Sequence, residues 1–175
     1  MADGPACDAL VVIDVQHVFA DPGSPWGSPM YSVARPHILA RVTAYGDRSV
    51  LTRFVAPAHP RGAWQAYYAQ WPFALVARDD PLYVLVSELE GRPTLDLETF
   101  GKWGPELAAA LGDARSVEVV GLATDCCVIS TVLAMADAGV AVTVSAAACG
   151  GSTPENHERA LALMELYAPL VTVVR

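Results

Sequence analysis

Residues 117–139 read VEVVGLATDCCVISTVLAMADAG, and the hydrophobic pattern changes partway along them. The valines within residues 117–120 predict a short buried strand, because β-branched residues favour extended structure. Residues 128–138 carry the apolar pattern of a helix that Gly139 ends. A strand that passes directly into a helix is the repeating unit of a parallel sheet covered by helices. The sequence therefore predicts an α/β protein with two adjacent cysteines at a strand-to-helix turn.

The thiol of Cys127 falls in the first helical turn if Asp125 is the N-cap. Unpaired backbone N–H groups and the positive end of the helix dipole would then face the sulfur. Free cysteine has a pKa of about 8.5, and helix N-termini are among the environments that lower it to roughly 3.5 to 7.5. This placement predicts a reactive thiolate at Cys127. Cys126 is predicted to be a packing residue, and a ring between the two sulfurs is disfavoured.

Apolar strand candidates alternate with helical segments along the rest of the chain. Strands are predicted at Ala9–Asp14, Ser49–Phe54, Tyr83–Val86, Val117–Gly121, Val140–Ser145 and Leu170–Val174. Helices are predicted at Ser32–Tyr45, Ala63–Gln70, Pro105–Leu111, Cys127–Ala138 and Pro154–Tyr167, the last with Thr153 as N-cap. This alternation predicts one domain over residues 1–175, with three layers: a six-stranded, mainly parallel sheet and helices on both faces. The Gly- and Pro-rich loops 21–29 and 90–104 are predicted to line a site, because ligands bind beyond the carboxyl ends of parallel strands.

Composition limits the classes of partner. The formal charge of -8 and the absence of a basic cluster argue against nucleic acid. No apolar run reaches the roughly 18 residues of a membrane span, so no membrane partner is expected. The start, MADGP, shows neither a basic region nor a signal core, and a cytoplasmic location is expected. The apolar composition predicts a homodimer or larger homo-oligomer.

Three motifs resemble the isochorismatase-like cysteine hydrolases. The run GLATDCCV is similar to their nucleophile segment G-x-A-T-D-x-C-V, with Cys127 at the nucleophile position. The run VIDVQHVF is similar to their first strand, with Asp14 at the position of the catalytic aspartate, and Gln16 and Phe19 complete the pattern D-x-Q-x-x-F. The tail STPENHERALALM is similar to their C-terminal helix. The resemblance runs from about Asp8 to the end of the chain and implies a Rossmann-like hydrolase.

The resemblance implies a catalytic triad of Asp14, a lysine and Cys127. The chain has one lysine, Lys102, but the family places its lysine where this chain has Leu97. Either the loop is rebuilt so that Lys102 enters the site from a different backbone position, or the triad is incomplete and Lys102 is a solvated surface charge. The first alternative is favoured. An ammonium group near Asp14 would stabilise negative charge as a substrate carbonyl is attacked.

The resemblance also implies an oxyanion hole built from the backbone N–H groups of Ala123 and Cys127, with a cis peptide bond between Leu122 and Ala123. Aromatic residues on or beside the predicted site loops are candidates for contacts with a flat or apolar amide. The predicted substrate-binding residues are Phe19, Trp26, Phe54 and Trp103.

A metal is not predicted. The nicotinamidase branch of the family carries an aspartate and several histidines after its second strand, whereas this chain has only His59 there and no nearby carboxylate. Zinc takes three or four ligands, so one histidine makes a poor site. No cofactor is expected.

The leading functional hypothesis is a hydrolase that cleaves a C–N bond of amide type in a small molecule, through an acyl-enzyme on Cys127. Its class would be the amidohydrolases that act on bonds other than peptide bonds. One alternative is hydrolysis of a vinyl ether of isochorismate type, which in this family needs no cysteine nucleophile. Another is a catalytically inactive member that acts as an interaction subunit, in which the shifted Lys102 marks a decayed site.

Overall fold

The structure, a computed structural model, describes residues 6–175 and contains one six-stranded sheet in which every neighbouring pair of strands is parallel. The strands are β1 (Ala9–Ile13), β2 (Ser49–Phe54), β3 (Thr94–Leu97), β4 (Ser116–Leu122), β5 (Ala141–Gly150) and β6 (Val171–Val174). The helices are α1 (His17–Ala20), α2 (Tyr31–Tyr45), α3 (Ala63–Gln70), α4 (Pro105–Leu111), α5 (Ile129–Asp137) and α6 (Pro154–Glu165). The predicted α/β class with a layered parallel sheet is confirmed.

The two central strands are apolar because both of their faces are covered. Every residue of β1 is buried, and so is β4 from Val117 onward. Parallel strands with helices on both faces read as continuous apolar runs rather than as alternating ones. For this reason the runs ALVVI and VEVV predict strands from the sequence alone.

The third strand is not where the sequence predicted it. Of the predicted strand Tyr83–Val86, Tyr83 ends a short 3₁₀ turn and Leu85 forms only an isolated bridge to Gln16. The sheet instead uses β3, which lies inside the predicted loop 90–104 and pairs with β2. This strand reads as a loop because it is short, half-buried and polar, as edge strands often are. Its Asp96 accepts a hydrogen bond of 2.9 Å from Arg53, and this ion pair helps to hold the edge.

Several other boundaries differ from the predictions, all but one of them by one or two residues. Strand β5 continues to Gly150, beyond the predicted end at Ser145. Helix α6 ends at Glu165 rather than at Tyr167, but Thr153 caps it as predicted, accepting a 3.0 Å hydrogen bond from the backbone N–H of Asn156. A serine or threonine oxygen at this position satisfies a backbone donor that the helix leaves unpaired.

The strand order β3-β2-β1-β4-β5-β6 reverses direction between β1 and β4. Such a switch point opens a crevice at the carboxyl ends of the strands, where α/β proteins bind ligands. Gly121 lets the two strands approach closely: its φ is 125°, and a Cβ there would lie 2.2 Å from the carbonyl oxygen of Ile13. Within residues 6–175, no helix is long and apolar enough to cross a membrane.

Candidate active site

Asp14 follows β1 directly and is fully buried. Its φ of 47° places it in the left-handed region, which residues other than glycine seldom adopt and which is found at functional sites. The hydroxyl of Thr52 donates a 2.6 Å hydrogen bond to Oδ1 of Asp14 and accepts one of 3.2 Å from its backbone N–H. The carboxylate is therefore fixed against β2 at the carboxyl edge of the sheet.

Lys102 lies inside the protein, not on its surface. Its Nζ is 2.9 Å from Oδ2 of Asp14, and both side chains are fully buried. The ammonium also donates a 2.6 Å hydrogen bond to the carbonyl of Thr99 and lies 5.2 Å from the ring centre of Phe54. The loop after β3 thus brings Lys102 to Asp14 despite the shifted register, and the alternative of a solvated charge does not hold.

The loop that carries Lys102 is tied to the helix that carries Cys127. The backbone N–H of Lys102 donates a 2.9 Å hydrogen bond to the hydroxyl of Thr131, and that hydroxyl donates one of 2.7 Å to the carbonyl of Cys127. Because Thr131 is buried, no water competes for these bonds. Thr131 therefore fixes the position of the loop that carries Lys102 relative to the turn that carries Cys127.

The turn around Cys127 is a single π-helical turn, Thr124–Val128, ahead of α5. The predicted cap, Asp125, lies inside this turn. Its carboxylate accepts hydrogen bonds from the backbone N–H and the hydroxyl of Ser152, at 2.7 and 2.6 Å. The capping prediction is wrong because the helical turn begins at Thr124 with Ala123 as its N-cap, two residues earlier than predicted. Asp125 instead joins the turn to the segment after β5.

The sulfur of Cys127 is a neutral thiol at rest. A hydrogen bond with Cys126, complete burial and the nearby Asp14 raise the pKa of Cys127 well above its ordinary value, and Lys102 opposes them. Desolvation disfavours a charged sulfur more than the helix N-terminus favours it here. The predicted resting thiolate is therefore wrong, and deprotonation of Cys127 requires a base.

A cavity of about 270 Å³ opens beside this turn. It is lined by Phe19, Pro25, Trp26, Gly27, Tyr67, Trp71, Phe100, Ala123, Asp125, Cys126 and Ser152. Two of the predicted substrate contacts, Phe19 and Trp26, therefore face it. Phe54 is fully buried beneath the ring of Trp26, 5.9 Å away, and neither Phe54 nor Trp103 is part of the lining.

Cys126 faces this cavity, whereas Cys127 does not. Cys126 packs against the hydrophobic core as predicted, and it also lines the cavity. Tyr67 of α3 and Trp71, which follows this helix, also line the cavity, and neither was predicted as a substrate contact. Their spacing of four residues is that of one helix face, but nothing in the sequence indicates what that face meets.

Trp26 forms part of the cavity wall and contacts several other aromatic rings. Its ring stacks on Phe19 at 6.0 Å and meets the ring of Phe73 edge-on at 5.0 Å. The loop that carries it is anchored by Ser28, whose hydroxyl donates a 2.6 Å hydrogen bond to the carbonyl of Gly151. A ligand in the cavity would touch Cys126 and Ala123, and Cys127 is not part of the lining.

The peptide bond between Leu122 and Ala123 is cis, as the resemblance implied. Ala123 also lines the cavity. The next residue, Thr124, is buried, and its hydroxyl lies 2.8 Å from Nδ1 of His157 in α6. Burial lowers the pKa of His157, with Glu158 opposing the shift. A neutral histidine is therefore favoured at this position, and it contacts the turn through Thr124.

The residues after β2 do not fit a metal. Across the described residues 6–175, no group of three or more His, Cys, Asp or Glu side chains is placed to hold an ion. His59 lines a separate groove with Arg61 and Glu98, and two such ligands with a guanidinium beside them do not make a zinc site.

A family model for the isochorismatase domain matches residues 8–174. The chain belongs to the isochorismatase family. Similar solved structures include a cysteine hydrolase from Pseudomonas syringae pv. phaseolicola 1448A, with 16% identity, a TM-score of 0.79 and coverage of 94% of this chain and 86% of that one. No curated protein sequence is significantly similar to this family member.

Two other solved structures carry names that specify amide substrates. A nicotinamidase from Bacillus subtilis has 17% identity, a TM-score of 0.72 and coverage of 95% of this chain and 98% of that one. A pyrazinamidase from Pyrococcus horikoshii in complex with zinc has 24% identity, a TM-score of 0.73 and the same coverage. At these identities, the likeness of the isochorismatase-family chain to them establishes the shared fold.

Proposed function

We propose that this isochorismatase-family protein hydrolyses the C–N bond of a small, uncharged amide through an acyl-enzyme on Cys127. The proposal rests on one observation: the buried contact of 2.9 Å between Lys102 and Asp14, two groups whose charges both act on the Cys127 sulfur. A buried acid, a buried cation and a neutral thiol next to a residue of the cavity lining match the needs of nucleophilic acyl transfer. The names of the similar nicotinamidase and pyrazinamidase support an amide as substrate.

The first half-reaction forms the acyl-enzyme. The carboxylate of Asp14 accepts the thiol proton while Sγ of Cys127 attacks the amide carbonyl carbon, because the raised pKa of Cys127 leaves no standing thiolate. The backbone N–H groups of Ala123 and Cys127 donate to the oxyanion. Asp14 then passes its proton to the departing nitrogen, and the amine leaves. Lys102 stabilises the carboxylate and the developing negative charge.

The second half-reaction releases the acid. Asp14, again unprotonated, takes a proton from water, and the resulting hydroxide attacks the thioester carbonyl carbon. The C–S bond then breaks, and the proton on Asp14 returns to the sulfur of Cys127. The same three side chains serve both halves, and no cofactor enters the scheme.

The lining of the cavity supports a neutral substrate. It contains no lysine, arginine or histidine, and its one charged side chain is the carboxylate of Asp125. Isochorismate is a dicarboxylate, and two anionic groups would lack a cationic partner against these aromatic walls. This lining counts against the vinyl ether alternative. The contact between Lys102 and Asp14 counts against a decayed, inactive site.

An ammonia-release screen tests the proposal. Small neutral carboxamides and carbamoyl compounds are compared with carboxylate-bearing analogues of the same size, on the wild type and on Cys127→Ala. We expect turnover of neutral amides, loss of at least about a thousandfold in Cys127→Ala, and a thioester adduct on Cys127 in acid-quenched samples. Fragment-ion spectra must assign the adduct, because Cys126 lies in the same tryptic peptide. Turnover that survives in Cys127→Ala would contradict the acyl-enzyme.

A further inference from the structure

Cys126 is the cysteine that the cavity exposes. It is half-buried and lies in the lining beside Ala123, whereas Cys127 is fully buried and Cys149 lies in the core. A small molecule that enters the cavity therefore meets the sulfur of Cys126 before it meets the proposed nucleophile.

The surroundings of Cys126 favour its ionised form. A hydrogen bond with Cys127 lowers the pKa of Cys126, and the positive charge of Lys102 adds to this effect. Partial burial, Asp125 and Asp14 oppose it without reversing the direction. The thiolate is the form of cysteine that reacts with oxidants and other electrophiles. Cys126 thus combines contact with the cavity and surroundings that favour its thiolate, whereas Cys127 is fully buried.

The cavity also restricts which reagent reaches Cys126. Aromatic rings form most of its walls, and the carboxylate of Asp125 stands at its rim. An anionic disulfide of the glutathione type would carry several charges into this space without a cationic partner. A small neutral oxidant such as hydrogen peroxide or an alkyl hydroperoxide meets no such cost. The lining therefore selects peroxides over charged disulfides.

We propose that Cys126 is an oxidation site for small neutral peroxides, and that its oxidation stops hydrolysis at Cys127. The second part rests on the proposed function. The Cys126 thiolate attacks one oxygen of the peroxide, the O–O bond breaks, and the sulfur becomes a sulfenate while the other oxygen leaves as water or an alcohol. Two equivalents of a small thiol reverse the change, giving back the Cys126 thiol, one disulfide and water. The added oxygen occupies the floor of the cavity, between the substrate space and Cys127.

Adduct mapping tests the oxidation site without any substrate. The protein is treated with substoichiometric hydrogen peroxide in the presence of a strained cycloalkyne, an uncharged trap for sulfenic acids, and fragment-ion spectra assign the adduct. We expect Cys126 to be trapped more than about tenfold faster than Cys127 or Cys149, because the pKa of Cys149 is raised to about 12 by burial. The variant Cys126→Ser should show no adduct in the tryptic peptide that contains positions 126 and 127. The matched control Cys149→Ser should behave as the wild type. Equal trapping at Cys127, or no trapping at any cysteine, would overturn the assignment.

A turnover measurement tests the consequence. Each variant is compared with its own untreated rate on an amide found in the screen. Peroxide should inactivate the wild type and Cys149→Ser, dithiothreitol should restore both, and Cys126→Ser should keep its rate. Equal inactivation of Cys126→Ser would overturn the proposed consequence. If Cys126 is trapped but no amide is turned over, the proposed function fails together with the inhibition that rests on it, and the oxidation site stands.

Discussion

At the scale of the residue, the buried pair of Lys102 and Asp14 ties stability to the proposed chemistry. Removing one member leaves the other charge buried and unpaired, which typically costs about 3 to 5 kcal/mol. We expect Lys102→Met to lose turnover and to lower the free energy of unfolding by about 3 kcal/mol, as measured by urea denaturation. The double variant Asp14→Asn/Lys102→Met should recover most of that stability while remaining inactive. A single variant as stable as the wild type would contradict a buried ion pair.

At the scale of the element, α6 supports the π-helical turn through the contact between His157 and Thr124. Burial lowers the pKa of His157 in the folded state, so below about pH 6.5 the unfolded chain binds a proton that the folded one resists. The folded protein therefore keeps its full free energy of unfolding above about pH 6.5 and loses part of it as the pH falls below that value. The urea midpoint should therefore drop between about pH 7.5 and about pH 5.5, and less steeply in His157→Asn. Parallel pH dependences in the two proteins would contradict this role.

At the scale of the whole molecule, Trp26 forms part of the wall of a cavity to which several distant segments contribute. Its ring contacts aromatic rings from α1, β2, α3 and the loop after β3. We expect Trp26→Ala to raise the iodoacetamide alkylation rate of Cys127 by about tenfold, because the cavity would then open toward the turn. Trp26→Phe should give a smaller increase, and Trp103→Phe, a matched change outside the lining, should leave the rate unchanged. An unchanged rate in Trp26→Ala would show that another group closes the site.

The sequence alone determined the features that local patterns encode. Apolar runs predicted five of the six strands, and their carboxyl ends placed Asp14 and the Cys127 turn at one edge of the sheet. These predictions are correct because a strand that is buried on both faces consists mainly of apolar residues, and such a run can be recognised in the sequence. The family motifs added the cis bond before Ala123, which no pattern in the residues reveals.

Tertiary structure alone decided the rest of the candidate site. The contact of Lys102 with Asp14 depends on how the loop after β3 packs against Thr131, and the aromatic walls depend on which segments meet around Trp26. The placement of the half-buried Cys126 in the cavity lining, and of the buried Cys127 outside it, depends on how the π-helical turn packs. The exposure and the charge of a side chain are set by neighbours far away along the chain, and a sequence pattern describes only those nearby.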